Sequence, residues 1–315
     1  MPVQALRSCF NTGQPSMMQP WQIYLRGIAM GAADIVPGIS GGTIAFITGI
    51  YARLIQCLRS FDWRLWAIFR QGGFVAVLRA VDATFLASLL AGILSSILLL
   101  TNLISWLLLT YPVPLYGFFF GLVSGSAIIV YREVTRWRLN LLACMVLGAF
   151  LAYALGAWLP NIEQPTALTF FIAGAIAICA MILPGISGSF LLLVMGLYAP
   201  LIDAVKSLHL LYVGSFALGA GSGILMFSHV LGWLFEHYRA ATFATLFGFI
   251  VASLPHIWPW KTVSMTGHPL DAQMVTPWHY SVLSGQAHQL WLVILLAVAG
   301  WFLVLYLAKQ QPKSA

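Results

Sequence analysis

Six stretches of the chain stay apolar for long enough to cross a bilayer: roughly 83–109, 113–131, 139–158, 210–235, 241–258 and 290–307. A spanning helix needs about 20 mostly apolar residues, so each stretch predicts one transmembrane helix. Two further apolar blocks, 21–58 and 167–203, break this pattern because each carries a Pro-Gly pair near its middle, Pro37-Gly38 and Pro184-Gly185. Proline removes a backbone donor and drives the residue before it out of the α region, so a helix that reaches either pair should end there. The arm from Trp21 to Ile35 would reach only about 22 Å at 1.5 Å per residue. That is short of a hydrocarbon core about 30 Å thick. Each block is therefore read as a re-entrant hairpin that enters, turns near mid-depth and leaves on the same side. Two short tilted spans per block remain the alternative. Residues 59–80 interleave Phe61, Trp63, Trp66 and Phe69 with Arg59, Arg64, Arg70 and Arg79, the pattern of an amphipathic helix lying on a membrane surface.

Composition agrees with a membrane protein. Of 315 residues 61% are hydrophobic and only 7% charged, against about 25% charged in a soluble domain. The expected class is an all-α integral membrane protein. The formal net charge of +7 would suggest nucleic acid in a soluble chain, but here it reads as orientation and attraction to anionic lipid headgroups. Arg26 and Arg53 lie in the first hairpin. Arg7, Arg59, Arg64, Arg70, Arg79, Arg132, Arg136, Arg138, Arg239, Lys309 and Lys313 all fall on one side if the hairpins are re-entrant, and only Lys206 and Lys261 fall on the other. By the positive-inside rule the first side is cytoplasmic, with both termini. The N-terminal residues 1–20 lack an apolar signal-peptide core. The stretch 259–289 is a polar outside loop. Cys9, Cys57, Cys144 and Cys179 have neither metal-ligand nor disulfide-frame spacing, and no metal or cofactor is expected.

The hairpin blocks repeat. Residues 30–60 and 177–207 align at a fixed offset of 147 with thirteen identities in 31 positions, among them Pro37/Pro184, Gly38/Gly185, Ser40/Ser187, Gly41/Gly188, Gly49/Gly196 and Tyr51/Tyr198. Each copy is followed by three predicted spans. An odd number of crossings per unit turns the second copy over, so the expected architecture is an inverted repeat. Its first half is 21–158, with hairpin 21–58 and interfacial helix 59–80. Its second half is 167–307, with hairpin 167–203 and loop 259–289. Alternating-access transporters are built this way, with the substrate site where broken helices meet near the midplane.

Chemistry follows from the hairpin turns. Non-helical backbone at membrane depth must be buried in protein or line a wet cavity. Free N–H groups at a helix start, glycines that allow close approach and hydroxyl donors together suit an anion. The candidate residues are Gly38, Ser40, Gly41, Gly42 and Thr43 at the first tip and Gly185, Ser187, Gly188 and Ser189 at the second, with Pro37 and Pro184 forming the turns. Capping alone is the plainer reading of these serines and glycines. Charge inside a membrane is costly and usually functional or paired. Arg26 and Arg53 are therefore candidate phosphate partners, with an ion pair or snorkelling as the plainer account, and Asp34 is a candidate carrier of a coupling proton or sodium ion. His229 and Glu236 have the spacing of a proton relay, although a packed histidine is the simpler reading.

The stretches GAADIVPGISGGTIAFITGIYARLI and ILPGISGSFLLLVMGLYAPLI resemble the paired motifs of the DUF368 family of bacterial membrane proteins, the polyprenyl-phosphate translocases. The resemblance covers about residues 20–307. It implies a transporter that returns the lipid carrier undecaprenyl phosphate from the outer to the cytoplasmic leaflet of the inner membrane. PGISGG also resembles the PGxSRSG motif of membrane undecaprenyl-pyrophosphate phosphatases, but Gly41 and Gly188 stand where the phosphatase arginine would be. Without that guanidinium the bidentate phosphate clamp is missing. A phosphatase-like enzyme and a small-anion transporter are the competing readings.

Overall fold

The computed structural model describes residues 18–36, 39–262 and 273–309. Pro37, Gly38, most of both tails and the tip of the 259–289 loop lie outside the described residues. The described chain is helical apart from one isolated bridge between Lys261 and Met274. The helices are α1 (Pro20–Ile35), α2 (Gly41–Ile47), α3 (Tyr51–Arg59), α4 (Arg64–Ala80), α5 (Ala83–Thr110), α6 (Pro112–Glu133) and α7 (Leu139–Trp158). They continue with α8 (Ala167–Ile182), α9 (Gly188–Val194), α10 (Tyr198–Lys206), α11 (Leu210–His237), α12 (Arg239–Ser253), α13 (Pro277–Ser284) and α14 (Leu290–Lys309). A 3-10 turn, Leu254–Ile257, extends α12. The helices α5, α6, α7, α11, α12 with its turn, and α14 have the length and apolarity of membrane spans, each within a few residues of its predicted stretch.

Element lengths recur along the chain. α1 and α8 have 16 residues each, α2 and α9 seven, α3 and α10 nine, and α5 and α11 28. Packing recurs with them: α1 lies along α5 as α8 lies along α11, and α6 lies along α14 as α7 lies along α12. In lipid the hydrophobic effect does not drive helices together, so close approach through small residues must. A glycine on each partner provides it. Gly27 and Gly92 join α1 to α5, Gly174 and Gly219 join α8 to α11, Gly121 and Gly300 join α6 to α14, and Gly148 and Gly248 join α7 to α12. At each, an added Cβ would overlap the facing backbone. Along the chain, the last two spans of the second half pack on those of the first in exchanged order, so the halves interlock.

The second arm of each block departs from the expected single helix. Between α2 and α3 the chain bends by 115°, and between α9 and α10 by 103°. The cause is a Schellman cap at each break. Gly49 has φ 75° and Gly196 φ 70°. Gly49 N donates to Phe46 O and Ile50 N to Ala45 O, and Gly196 N donates to Leu193 O and Leu197 N to Leu192 O. The arm that leaves each tip is therefore a seven-residue helix of about 10 Å.

Candidate functional site: the junction of the two hairpin tips

The described residues on either side of each turn follow one plan. α1 ends at Val36, in extended backbone (φ −88°, ψ 119°), and α8 ends at Leu183 (φ −70°, ψ 127°). Those are the conformations a following proline requires. The next helices start at serine caps. Ser40 Oγ accepts from Gly42 N at 3.1 Å, and Ser187 Oγ accepts from Phe190 N at 3.3 Å. Gly31 packs on Ile93 and Ser96, near the middle of α5, so the last turns of α1 lie deep within the bundle.

The fold brings the two tips into contact. Ser40 Oγ lies 2.8 Å from Met181 O and 3.1 Å from Leu183 O and donates to this pair of carbonyls. These are carbonyls at the C-terminal end of α8, which have no partner within that helix. Thr43 Oγ1 accepts from Gly185 N at 3.0 Å. Gly42 sits so close to Met181 O and Ile182 O that no Cβ would fit. Ser40 and Thr43 are each only 1% exposed. Gly185 has φ 89°, and its Cα lies against the backbone of Ile250 on α12, where a Cβ would come within 2.8 Å of Ile250 Cα. Substitution at Gly185 would be strained as well as crowded. Ser40, Gly42, Thr43 and Gly185 thus meet at one place. α2 and α9 are two turns long, so what they offer an anion is local: a few N–H groups and hydroxyls in the first turn.

The remaining candidates divide. Asp34 Oδ1 accepts from Gly41 N at 2.7 Å and so closes the first tip from its own arm. Ser187 and Ser189 bond to each other, Oγ to Oγ, at 2.9 Å. Gly188 packs on Ala177 O and the Met181 side chain. Arg53 is committed elsewhere: its Nε lies 2.7 Å and its Nη2 2.6 Å from Asp82 Oδ2, and its guanidinium stands 4.5 Å from the centre of the Phe85 ring. Arg26 is half-buried on α1 and donates to the sulfur of Met18. It lies eight residues before Asp34, about 12 Å along the helix. Neither arginine contacts a tip residue among the described residues. His229 Nδ1 lies 2.8 Å from its own helix's Leu225 O, while Glu236 pairs with Arg59, so these two form no relay.

Several contributors carry no local signal in the sequence. Asp82 is one, since its pairing with Arg53 spans 29 residues with no periodic signal. Arg59–Glu236 and Arg239–Glu133 are two more ion pairs at the same end of the bundle. Tyr51 is 4% exposed, packs edge-on against Phe46 and Phe235, and its hydroxyl has no hydrogen-bond partner among the described residues. The identity of Tyr51 and Tyr198 in the repeat was its only sequence signal.

The chain matches the profile of a family described as undecaprenyl phosphate translocase-like over residues 30–274. It is 44% identical over 297 residues to a Vibrio cholerae serotype O1 protein named polyprenyl-phosphate transporter, covering 92% of this chain and 96% of that one. A Staphylococcus aureus protein of the same name is 32% identical over 260 residues, covering 76% of this chain and 86% of the relative. No solved structure matches it.

Proposed function

The chain belongs to the undecaprenyl phosphate translocase-like family, and from this premise we propose that it is a polyprenyl-phosphate transporter, not an enzyme. In this reading it returns undecaprenyl phosphate from the outer to the cytoplasmic leaflet of the bacterial inner membrane. The two halves form an inverted repeat whose hairpins enter from opposite faces, and the phosphate head crosses at the junction of their tips. The observation that carries this reading is the pair of cross-tip contacts, Ser40 to the Met181 and Leu183 carbonyls and Gly185 N–H to Thr43.

The chemistry is an exchange of partners. In the described state the tips satisfy each other's polar groups, which keeps non-helical backbone tolerable at membrane depth. A phosphate that separates them takes over the Gly185 N–H and the Ser40 and Thr43 hydroxyl donors. Charge-assisted hydrogen bonds are roughly twice as strong as neutral ones, so the exchange can favour the anion. The isoprenoid tail stays in lipid throughout. Arg59–Glu236 and Arg239–Glu133 tie α3 to α11 and α12 to α6, and act as a cytoplasmic latch that must open for release. Asp34 carries the coupling proton or sodium ion, and both termini are cytoplasmic.

Proteoliposomes loaded with a fluorescent short-chain polyprenyl phosphate test the reading. Movement of the lipid between leaflets should require the protein, be blocked by excess polyprenyl phosphate, and be indifferent to excess inorganic phosphate. Competition by inorganic phosphate would favour the small-anion reading. Phosphate release from undecaprenyl pyrophosphate would favour the enzyme.

A further inference from the structure

The helix α4 contributes nothing to the bundle core. Of its 17 residues none is buried, and Gly73 (φ 67°, ψ −170°) breaks it in the middle. Trp66, Phe69, Phe74 and Val75 are 66%, 44%, 65% and 58% exposed, and Trp63 just before the helix is 82% exposed. A patch of this size needs a cover. The helix does not have the length and apolarity of the spans, and it interrupts its apolar residues with Arg64, Arg70 and Arg79 and carries no acid. Arg64 shares Asp62 at 3.6 Å. Arg70 and Arg79 have no ion-pair partner among the described residues.

Where α4 meets α5, Val75, Leu78, Arg79, Asp82, Ala83 and Thr84 line a cavity of about 290 Å³. The Asp82 carboxylate in its wall is already offset by Arg53, which leaves Arg79 as the uncompensated charge. Apolar surface beside unpaired guanidinium is complementary to a lipid whose headgroup is anionic. The cavity is remote from the tips. Gly31 packs on Ser96, and Ala83 lies thirteen residues earlier on α5, about 20 Å along the axis.

We propose that α4 lies in the plane of the bilayer surface and holds a resident anionic glycerophospholipid, its phosphate at the Arg79 cavity, its acyl chains against Phe74, Val75 and Leu78, and Arg70 drawing further headgroups to the other half of the helix. This site is separate from the transport path and does not depend on what is transported.

Native mass spectrometry of the full-length protein, equilibrated with an equimolar mixture of phosphatidylglycerol and phosphatidylcholine, tests it. Wild type should retain phosphatidylglycerol in preference. The variant R64Q/R70Q/R79Q should lose most of that preference, by roughly fivefold for each surface arginine removed. The charge-conserving variant R64K/R70K/R79K should keep it. Arg79→Gln alone, on an exposed side chain, should cost about fivefold. An unselective wild type, a glutamine variant with undiminished preference, or a lysine variant that loses it as the glutamine variant does would each overturn the proposal. Displacement of phosphatidylglycerol from this helix by polyprenyl phosphate would overturn the assignment to a resident lipid.

Discussion

The two hairpin tips carry nearly the same phrase, yet their polar groups face different ways. At the first tip Ser40 and Thr43 reach across to the Met181, Leu183 and Gly185 backbone. At the second, the Ser187 hydroxyl turns to Ser189 in its own tip. The matched arm residues differ as well. Asp34 and Met181 occupy the same repeat position, and each rests on the first glycine of the following helix, Gly41 and Gly188. Asp34 gives Gly41 N a carboxylate acceptor at 2.7 Å, whereas a thioether is only a weak acceptor. A common backbone plan has therefore been given unequal side chains: the first tip makes the contacts and carries the charge, and the second supplies backbone to be contacted.

The largest difference should appear two residues after the capping serine, where the first tip has Gly42 and the second Ser189. A Cβ at Gly42 would overlap the Met181 and Ile182 carbonyls, so Gly42→Val must push the tips apart. Overpacking of this kind costs about 1–3 kcal/mol, and here it also breaks the Ser40 and Thr43 contacts. Transport in proteoliposomes should fall to background and the thermal unfolding midpoint should drop. Ser189→Val, at the matched site, should leave transport within about twofold of wild type and cost about 1 kcal/mol of stability, since half-buried Ser189 loses one hydroxyl contact. Equal damage from the two would show that the tips bear alike on the junction.

Removing the cap hydroxyls sharpens the comparison at smaller amplitude. Ser40→Ala loses the cap on Gly42 and also the donor to two buried α8 carbonyls, so about 3 kcal/mol is expected from a cap, a buried hydrogen bond and the carbonyls left unsatisfied. Ser187→Ala loses a cap and one bond to a half-buried hydroxyl of its own tip, and about 2 kcal/mol is expected. Denaturant or thermal unfolding in one detergent measures the gap. If Ser187→Ala proved the more damaging, the second tip would be the one that organises the junction.

What the sequence made legible follows from the range of the interactions involved. The six spans were readable because a helix in lipid satisfies its own backbone, so local apolarity alone marks it. The tips were readable because proline acts on its immediate neighbours, as the extended Val36 and Leu183 show. The bends at Gly49 and Gly196 escaped, although both glycines were matched in the repeat, because a glycine inside an apolar run signals a cap only when its φ is known. For Arg53 the sequence leaves a phosphate partner and an ion pair both open, because the acid that holds it, Asp82, belongs to a different segment. The bond between Thr43 and Gly185 joins residues 142 positions apart, and only the folded packing of one half on the other reveals it.

The smallest expected effect on stability, and the most informative for mechanism, comes from Asp34. The carboxylate does one visible job, accepting from Gly41 N, and an asparagine side-chain oxygen can do the same. Asp34→Asn should therefore insert, fold and unfold within about 1 kcal/mol of wild type. If Asp34 also carries the coupling ion, the same variant should lose the acceleration of lipid movement by an imposed proton or sodium gradient and keep the slow exchange seen without one. Met181→Asp, which writes the same group onto the second tip, should not restore the coupling, because Met181 sits beside the α8 carbonyls that Ser40 already uses. Undiminished gradient dependence in Asp34→Asn would reduce the carboxylate to a cap, and the difference between the tips would then be one of shape alone.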